Sequence, residues 1–235
     1  MNSKLDFKTA MQDVLPTTFG YLGIGIAFGI IGQASGLSIF LIGLISLITY
    51  AGSAQFVLVS MLLAHAPLAS IVLAIFLVNS RMFIMSLSVA PYFKKESLLK
   101  NLWLGTLLTD ESFALSMNKL NYTQNQLSFT WFNTANIVAY LTWFIASIIG
   151  GLVGNFIPNP QSLGLQFAIV AMFIGLLYLQ VESDQKLSKK LQLTVIGLVL
   201  ILMYIGLIFL PSNILIIIVT LIGCSLGVVI KNAFN

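Results

Sequence analysis

Ile71-Val-Leu-Ala-Ile-Phe-Leu-Val-Asn-Ser-Arg81-Met-Phe-Ile-Met-Ser-Leu-Ser-Val-Ala-Pro91 is a run of apolar residues with a single arginine at its centre, the only arginine in the chain. A run this long reads as a helix crossing a membrane. The guanidinium stays charged, and setting it against hydrocarbon would cost several kcal/mol. Arg81 must therefore face protein, water or an anion. In the next apolar segment Asp110 and Glu111 interrupt the pattern in the same way. The other charges read as lying near the termini or in connecting loops. One cation and two anions at depth point first to a protein that moves or processes a polar solute.

The composition agrees. Of 235 residues, 58% are hydrophobic and 8% charged, and the mean hydropathy is +1.00. Soluble domains carry about 25% charged residues. The chain reads as one integral membrane domain over residues 1–235, with a short polar lead at 1–15 that is expected to be cytoplasmic. The net charge of +4 comes from lysines scattered over short loops, which is the pattern of cytoplasmic loops and not of a nucleic-acid surface. Cys224 and His65 are each the only one of their kind. A disulfide framework, a thiolate metal site and an all-histidine metal site are therefore excluded within the chain. His65, beside Pro67, reads as a loop residue at the membrane interface. No Gly-Lys-Ser/Thr phosphate loop is present, so ATP is not used by this chain.

The expected fold is all-α: a polytopic transmembrane bundle of about eight hydrophobic segments, at roughly 16–34, 38–64, 67–90, 101–118, 129–153, 163–181, 191–210 and 212–230. Helix is the state that satisfies the backbone in lipid. The lysines raise a conflict. If every segment crosses, Lys94, Lys95 and Lys100 fall on the side opposite the N-terminus, against the positive-inside rule. If two segments fail to cross, these lysines, those at Lys186, Lys189 and Lys190, and both termini share one side. The segments holding Tyr50-Ala-Gly-Ser-Ala-Gln55 and Thr109-Asp-Glu-Ser112 are interrupted by small and polar residues, and are expected to be broken or re-entrant. Thr109 or Asp110 would cap one exposed helix start and Ser53 another. Such starts carry a positive dipole end and free N–H groups suited to a carboxylate.

Two polar stripes follow helical spacing: Ser46, Thr49, Tyr50, Ser53 and Ser60 in the second segment, and Asn133, Asn136, Tyr140 and Ser147 in the fifth. They either line a shared polar cavity or hydrogen-bond between helices. Arg81 has the planar fork that binds carboxylates; it either meets a substrate or pairs with Asp110 or Glu111. Asn79 lies two positions away, on another helix face. Asp110 and Glu111 point about 100° apart on a helix, so only one is expected to face the path. Desolvation favours the neutral form of a carboxyl, which makes the buried one a candidate proton carrier. The candidate substrate-binding residues are Arg81, Ser53, Gln55, Tyr50, Asn79 and Asn133, with Asp110 and Glu111 for coupling. An aliphatic side chain would rest against Phe56, Phe83 or Met85. Glycine pairs four apart (Gly25 and Gly29, Gly150 and Gly154, Gly223 and Gly227) predict close helix packing.

Taken in order, Tyr50-Ala-Gly-Ser-Ala-Gln55-Phe56, Asn79-Ser-Arg81, Ser86-Leu-Ser-Val-Ala-Pro91, Thr109-Asp110-Glu111, Leu163-Gly164-Leu165 and Phe167-Ala168 resemble the AzlC family of branched-chain amino acid exporters. Pro16, Phe28-Gly29 and Gly36-Leu37-Ser38 are weaker matches. The resemblance covers roughly residues 14–180. Ala27 stands where the family often has proline, and Trp131-Phe-Asn-Thr replaces a glycine-containing aromatic motif. The resemblance implies export of valine, leucine, isoleucine and methionine across a bacterial cytoplasmic membrane. It also implies a small AzlD-type membrane subunit as partner; no cofactor is expected, and a homo-oligomer of the complex is a further expectation. The alternatives are a channel or facilitator for a small polar solute, a membrane enzyme using Asp110 and Glu111, and a non-transporting partner subunit. Adjacency of the two carboxyls argues against the enzyme.

Overall fold

The computed structural model describes residues 1, 3–157, 167, 170, 174–175, 177–178, 181–182, 187–210 and 212–234, and among these it is helical throughout with no strand. The chain divides into two compact units, Met1–Leu176 and Leu177–Asn235. Most of the expected sixth segment, with Leu163–Leu165 and Ala168, and also Lys186, lie outside the described residues.

The first unit is built on α1 (Phe7–Ala34) and α8 (Phe129–Gly154). Asp6 caps α1 by accepting from Thr9 N, and Ser128 caps α8 by accepting from Trp131 N. Pro16 sits inside α1 without ending it. The two helices run parallel: Asp13 meets Trp131, Gly25 meets Ala146, Gly29 meets Gly150, and Gln33 meets Gly154. A Cβ on Gly29 would strike the backbone of Ser147, Gly150 and Gly151, and one on Gly150 would strike that of Ile26. The predicted glycine spacing therefore serves backbone-to-backbone packing.

The second and fourth segments are both broken. Ser38 caps α2 (Ile39–Ile48), which runs antiparallel to α8, with Gly43 against Ile148 and the Leu47 carbonyl bonded to Tyr140. The chain reverses at Thr49–Ala51, where Tyr50 takes φ +35. This left-handed region is rare for a non-glycine residue and marks strain. Helix α3 (Gly52–Leu63) then climbs back beside α2: Gln55 bonds Ser46 and Trp143, and Phe56 packs on Phe28. So α2 and α3 form a hairpin that returns to the end from which it entered. After a turn holding exposed His65, the chain runs through α4 (Leu68–Asn79), α5 (Arg81–Val89) and a 3₁₀ turn (Ala90–Phe93). Ser80 interrupts the ladder between α4 and α5 but keeps right-handed helical angles, so this stretch is one traverse. It ends with Phe93 stacked on Phe132, near the start of α8.

Helix α6 (Leu98–Thr106), capped by Ser97, rises from that end, with Lys100 over Phe129 and Trp103 bonded to Asn133. The chain breaks at Leu107–Thr109, and α7 (Asp110–Leu120) descends from Tyr21 to Asp13 along α1. This second hairpin enters from the opposite end to the first. A traverse followed by a half-depth hairpin thus occurs twice, with opposite sense. The lysines at 94, 95 and 100 share the end of the N-terminal lead, which the Ser128–Leu5 bond fixes beside the start of α8. Within this unit neither hairpin traverses, which is why Lys94, Lys95 and Lys100 come to the end of the N-terminal lead. Two charges assigned to a terminus or a loop need correction. Asp13 lies within α1, and Lys119 lies in the last turn of α7 with its side chain wholly buried.

In the second unit, α9 (Lys189–Phe209) and α10 (Ser212–Phe234) pack antiparallel, with Gly206 against Leu215, Gly223 against Val199 and Gly227 against Val195. Among the described residues four stretches are long and apolar enough to cross a membrane: Phe7–Ala34, Leu68–Phe93, Phe129–Gly154 and Lys189–Phe209.

Candidate functional site

The tips of the two hairpins meet halfway along α1 and α8. They enclose a cavity of about 10 Å³, lined by Tyr21, Tyr50, Ala51, Gly52, Ser53, Met82, Thr109, Asp110, Glu111 and Trp143. That is room for about one water. Three interruptions of helix converge here: Thr49–Ala51, Ser80 and Leu107–Thr109. Chain breaks at membrane depth are tolerated where they line a cavity or are buried in protein.

Each tip presents a helix start. Thr109 caps α7: its hydroxyl accepts from Ser112 N, while the Ser112 hydroxyl accepts from Thr109 N. Asp110 and Glu111 fill the first turn, where carboxylates complement the positive dipole end. The start of α3 is different. Ala51 precedes it with no side-chain cap, and its first turn holds no acid. Ser53 is the second residue of α3 and does not cap it, contrary to the sequence reading. A cap must sit before the helix with extended backbone angles, and Ala51 occupies that place.

Arg81 connects the tips. Its Nη2 donates to Ser53 Oγ at 2.8 Å and to Asp110 Oδ2 at 2.8 Å. Tyr21 donates to Glu111 Oε2 at 2.7 Å, so the Thr109 hydroxyl, 2.8 Å away, donates to the Tyr21 oxygen. Asp110 and Glu111 both line the cavity, whereas sequence reasoning placed only one there. They are the first two residues of α7, and a 100° splay about the end of a helix still surrounds a cavity capping that end. Tyr50 is buried and stands edge-on to Tyr140 at 4.7 Å between ring centres. Tyr21 packs edge-on to Trp143 at 5.1 Å.

The remaining candidates lie elsewhere. Gln55 is fully buried between Ser46 and Trp143 and supports the first hairpin from behind. Asn133 accepts from Trp103 Nε1. Asn79 lines an apolar groove of about 940 Å³, with Ile71, Phe76 and Phe83. Phe56 packs on Phe28, and Met85 joins the cluster around Phe93 and Trp131. Met82 is an apolar side chain on the cavity wall, beside Ala51 and Trp143. Of the two polar stripes, Tyr50 and Ser53 line the cavity, and Tyr50 meets Tyr140 edge-on. Ser46 and Tyr140 bond between elements, and Ser147 bonds back to Trp143 O. Tyr21, Trp143 and Met82 were not singled out from the sequence. Among the described residues no group of three or more His, Cys, Asp or Glu is placed to hold a metal.

Comparison with known proteins narrows the identity. An uncharacterized membrane protein of Helicobacter pylori J99 is 31% identical over 184 residues, covering 76% of this chain and 79% of the relative. The branched-chain amino acid transport protein AzlC of Bacillus subtilis is 29% identical over 185 residues, covering 77% of this chain and 70% of the relative. The inner membrane protein YgaZ of Escherichia coli is 26% identical over 187 residues, covering 77% and 76%. No solved structure matches the chain significantly. Residues 16–157, which contain both hairpins and every residue of the cavity, match the family described as AzlC protein, and the chain belongs to that family of transport-associated, multi-pass membrane proteins.

Proposed function

We propose that this chain is the large subunit of a two-component secondary transporter that exports valine, leucine, isoleucine and methionine across a bacterial cytoplasmic membrane, with the N-terminus inside. The observation that carries the reading is the opposite character of the two hairpin tips across one cavity. The α3 tip offers an uncapped helix start and the Ser53 hydroxyl, and Arg81 at the start of α5 donates to that hydroxyl. The α7 tip offers the carboxyls of Asp110 and Glu111. An amino acid zwitterion matches both: its carboxylate meets the α3 tip and Arg81, and its ammonium meets Asp110 and Glu111. Met82 is the apolar contact for the aliphatic side chain. Arg81 must exchange Asp110 for the substrate carboxylate, so the resting ion pair and the loaded site are alternative states. The cavity holds about one water, so loading requires the tips to separate. Asp110 and Glu111 are also the groups that would carry a coupled proton. The small AzlD-type subunit is the expected partner.

The test is efflux of labelled valine, leucine, isoleucine and methionine from cells expressing this chain, with and without the small subunit, for wild type and Arg81→Ala. Efflux that needs the small subunit and is lost in a normally inserted Arg81→Ala protein supports the exporter and the anchor. Unchanged efflux in Arg81→Ala removes the anchor role. No efflux of any of the four, with both proteins inserted, overturns the exporter and turns attention to other small polar solutes.

A further inference from the structure

We propose that the buried polar face of α7 is the solute's route between the central cavity and the end of the unit that carries the N-terminus, and that the Asp13–Lys119 ion pair closes it. This rests on the reading of the cavity as a transport site.

Thr109, Ser112, Ser116 and Lys119 recur at helical spacing, and they are 4%, 1%, 0% and 0% exposed. One face of α7 is therefore polar and buried from the cavity to the helix end, over about 15 Å at 1.5 Å per residue. Both ends of that face lie on α1: Thr109 bonds Tyr21, and Lys119 bonds Asp13 at 2.6 Å. Trp131 Nε1 donates to the same Asp13 oxygen at 3.1 Å, and the Lys119 ammonium stands 5.3 Å from the Trp131 ring centre. Three helices, α1, α7 and α8, are thus tied at one point below the cavity. Asn136 adds a polar group at the intervening depth. It lies on α8 between Trp131 and Trp143, wholly buried, and among the described residues neither end of its amide is bonded.

Polar residues in membrane bundles commonly hold helices together, and that explanation fails for the serines. The Ser112 and Ser116 hydroxyls bond back to Thr109 O and Phe113 O of their own chain segment, so among the described residues they join no second helix. Helix α3 of the other hairpin is apolar at the matching positions. Counted from the helix start, the matching positions of α3 are Ala54, Leu58 and Met61. Nor does stability explain the ion pair, because a buried pair adds little over a well-packed apolar one, whereas losing one partner is costly. An ion pair can part when water enters and re-form when it leaves.

The test measures water access, not transport. In the full-length chain with Cys224→Ser, reconstituted in nanodiscs, cysteines at Ser116→Cys or Val59→Cys are modified with a water-soluble thiol reagent. Val59 is buried on α3, in the other hairpin. Adding Asp13→Asn is expected to speed labelling at position 116 by about tenfold or more, since it removes the buried Asp13–Lys119 ion pair, and to leave position 59 within about twofold. Unchanged labelling at 116, or an equal rise at both positions, overturns the proposal. If Asp13→Asn does not insert, Lys119→Met takes its place with the same outcomes. Because no solute is used, a failed efflux assay beside a selective rise at 116 would sink the exporter reading and leave the route standing.

Discussion

The Arg81–Asp110 pair lets the energetics of the hairpin tips be worked out and checked. The charged atoms are 2.8 Å apart, with the side chains 34% and 20% exposed. At an effective dielectric of about 20, unit charges about 4 Å apart attract by about 4 kcal/mol. Partial burial takes back much of this as desolvation. Exposed pairs retain about 0–1 kcal/mol, and breaking a fully buried pair costs about 3–5 kcal/mol. This pair lies between those cases, so a coupling of about 1–3 kcal/mol is expected. Arg81→Gln leaves Asp110 at the α7 dipole end, where it keeps some favourable interaction. Asp110→Asn leaves Arg81 bonded to Ser53. Each single variant should therefore lose stability, and the double variant should lose less than their sum. The assay is thermal unfolding of the purified protein in one detergent for wild type, both singles and the double. At roughly 2–4 °C per kcal/mol for a chain of this size, a coupling of about 2 kcal/mol appears as about 4–8 °C of non-additivity. Additivity within about 0.5 kcal/mol, the behaviour of independent sites, would refute the claim that Arg81 ties the two tips.

Three further outcomes are expected. Tyr21→Phe removes the donor to Glu111 and the acceptor for Thr109; a hydrogen bond to a charged group contributes about 1.5–3 kcal/mol, so the melting temperature should fall by several degrees and efflux by about tenfold or more, and an unchanged rate would show that Tyr21 is only packing. Gly29→Ala drives a methyl into the backbone of Ser147, Gly150 and Gly151; overpacking costs about 1–3 kcal/mol, and a variant as stable as wild type would contradict the close α1–α8 packing. Impermeant thiol labelling of Ser35→Cys, His65→Cys and Lys95→Cys in a Cys224→Ser background should mark positions 35 and 65 from one side of the membrane and 95 from the other; labelling of 35 and 65 from opposite sides would mean that α2 and α3 cross.

Much of this architecture could be read in the residues, and the reasons for the gaps are physical. Small and polar residues at Tyr50–Gln55 and Thr109–Ser112 interrupt apolar runs, so both breaks were visible, and the lysine pattern was reconciled if two segments did not cross. Which way the chain turned at each break depended on contacts far apart in sequence, such as Ser46 with Gln55 and Tyr21 with Thr109. Helical spacing assumes an unbroken helix, so it linked Tyr50 and Ser53 to Ser46 in one stripe although a reversal separates them. The same assumption put Asp110 and Glu111 on different faces, whereas at a helix start both flank the opening. Asn133 and Gln55 were singled out because polarity in an apolar segment is all that sequence shows. One bonds a tryptophan at the rim and the other supports a tip from behind. Asp13 and Lys119 were passed over because each lies near an apparent terminus or loop, and their partnership spans 106 positions.

The most direct test of the central cavity is equilibrium binding of labelled leucine to the purified protein with its small subunit, competed by unlabelled leucine, by isocaproate, which lacks the ammonium, and by leucinol, which lacks the carboxylate. If the two hairpin tips hold the two ends of a zwitterion, leucine displaces the label and each truncated analogue binds at least about tenfold more weakly, because each leaves buried charged groups unpaired. Equal competition by all three, or an absence of leucine binding by the intact protein, would contradict the assignment.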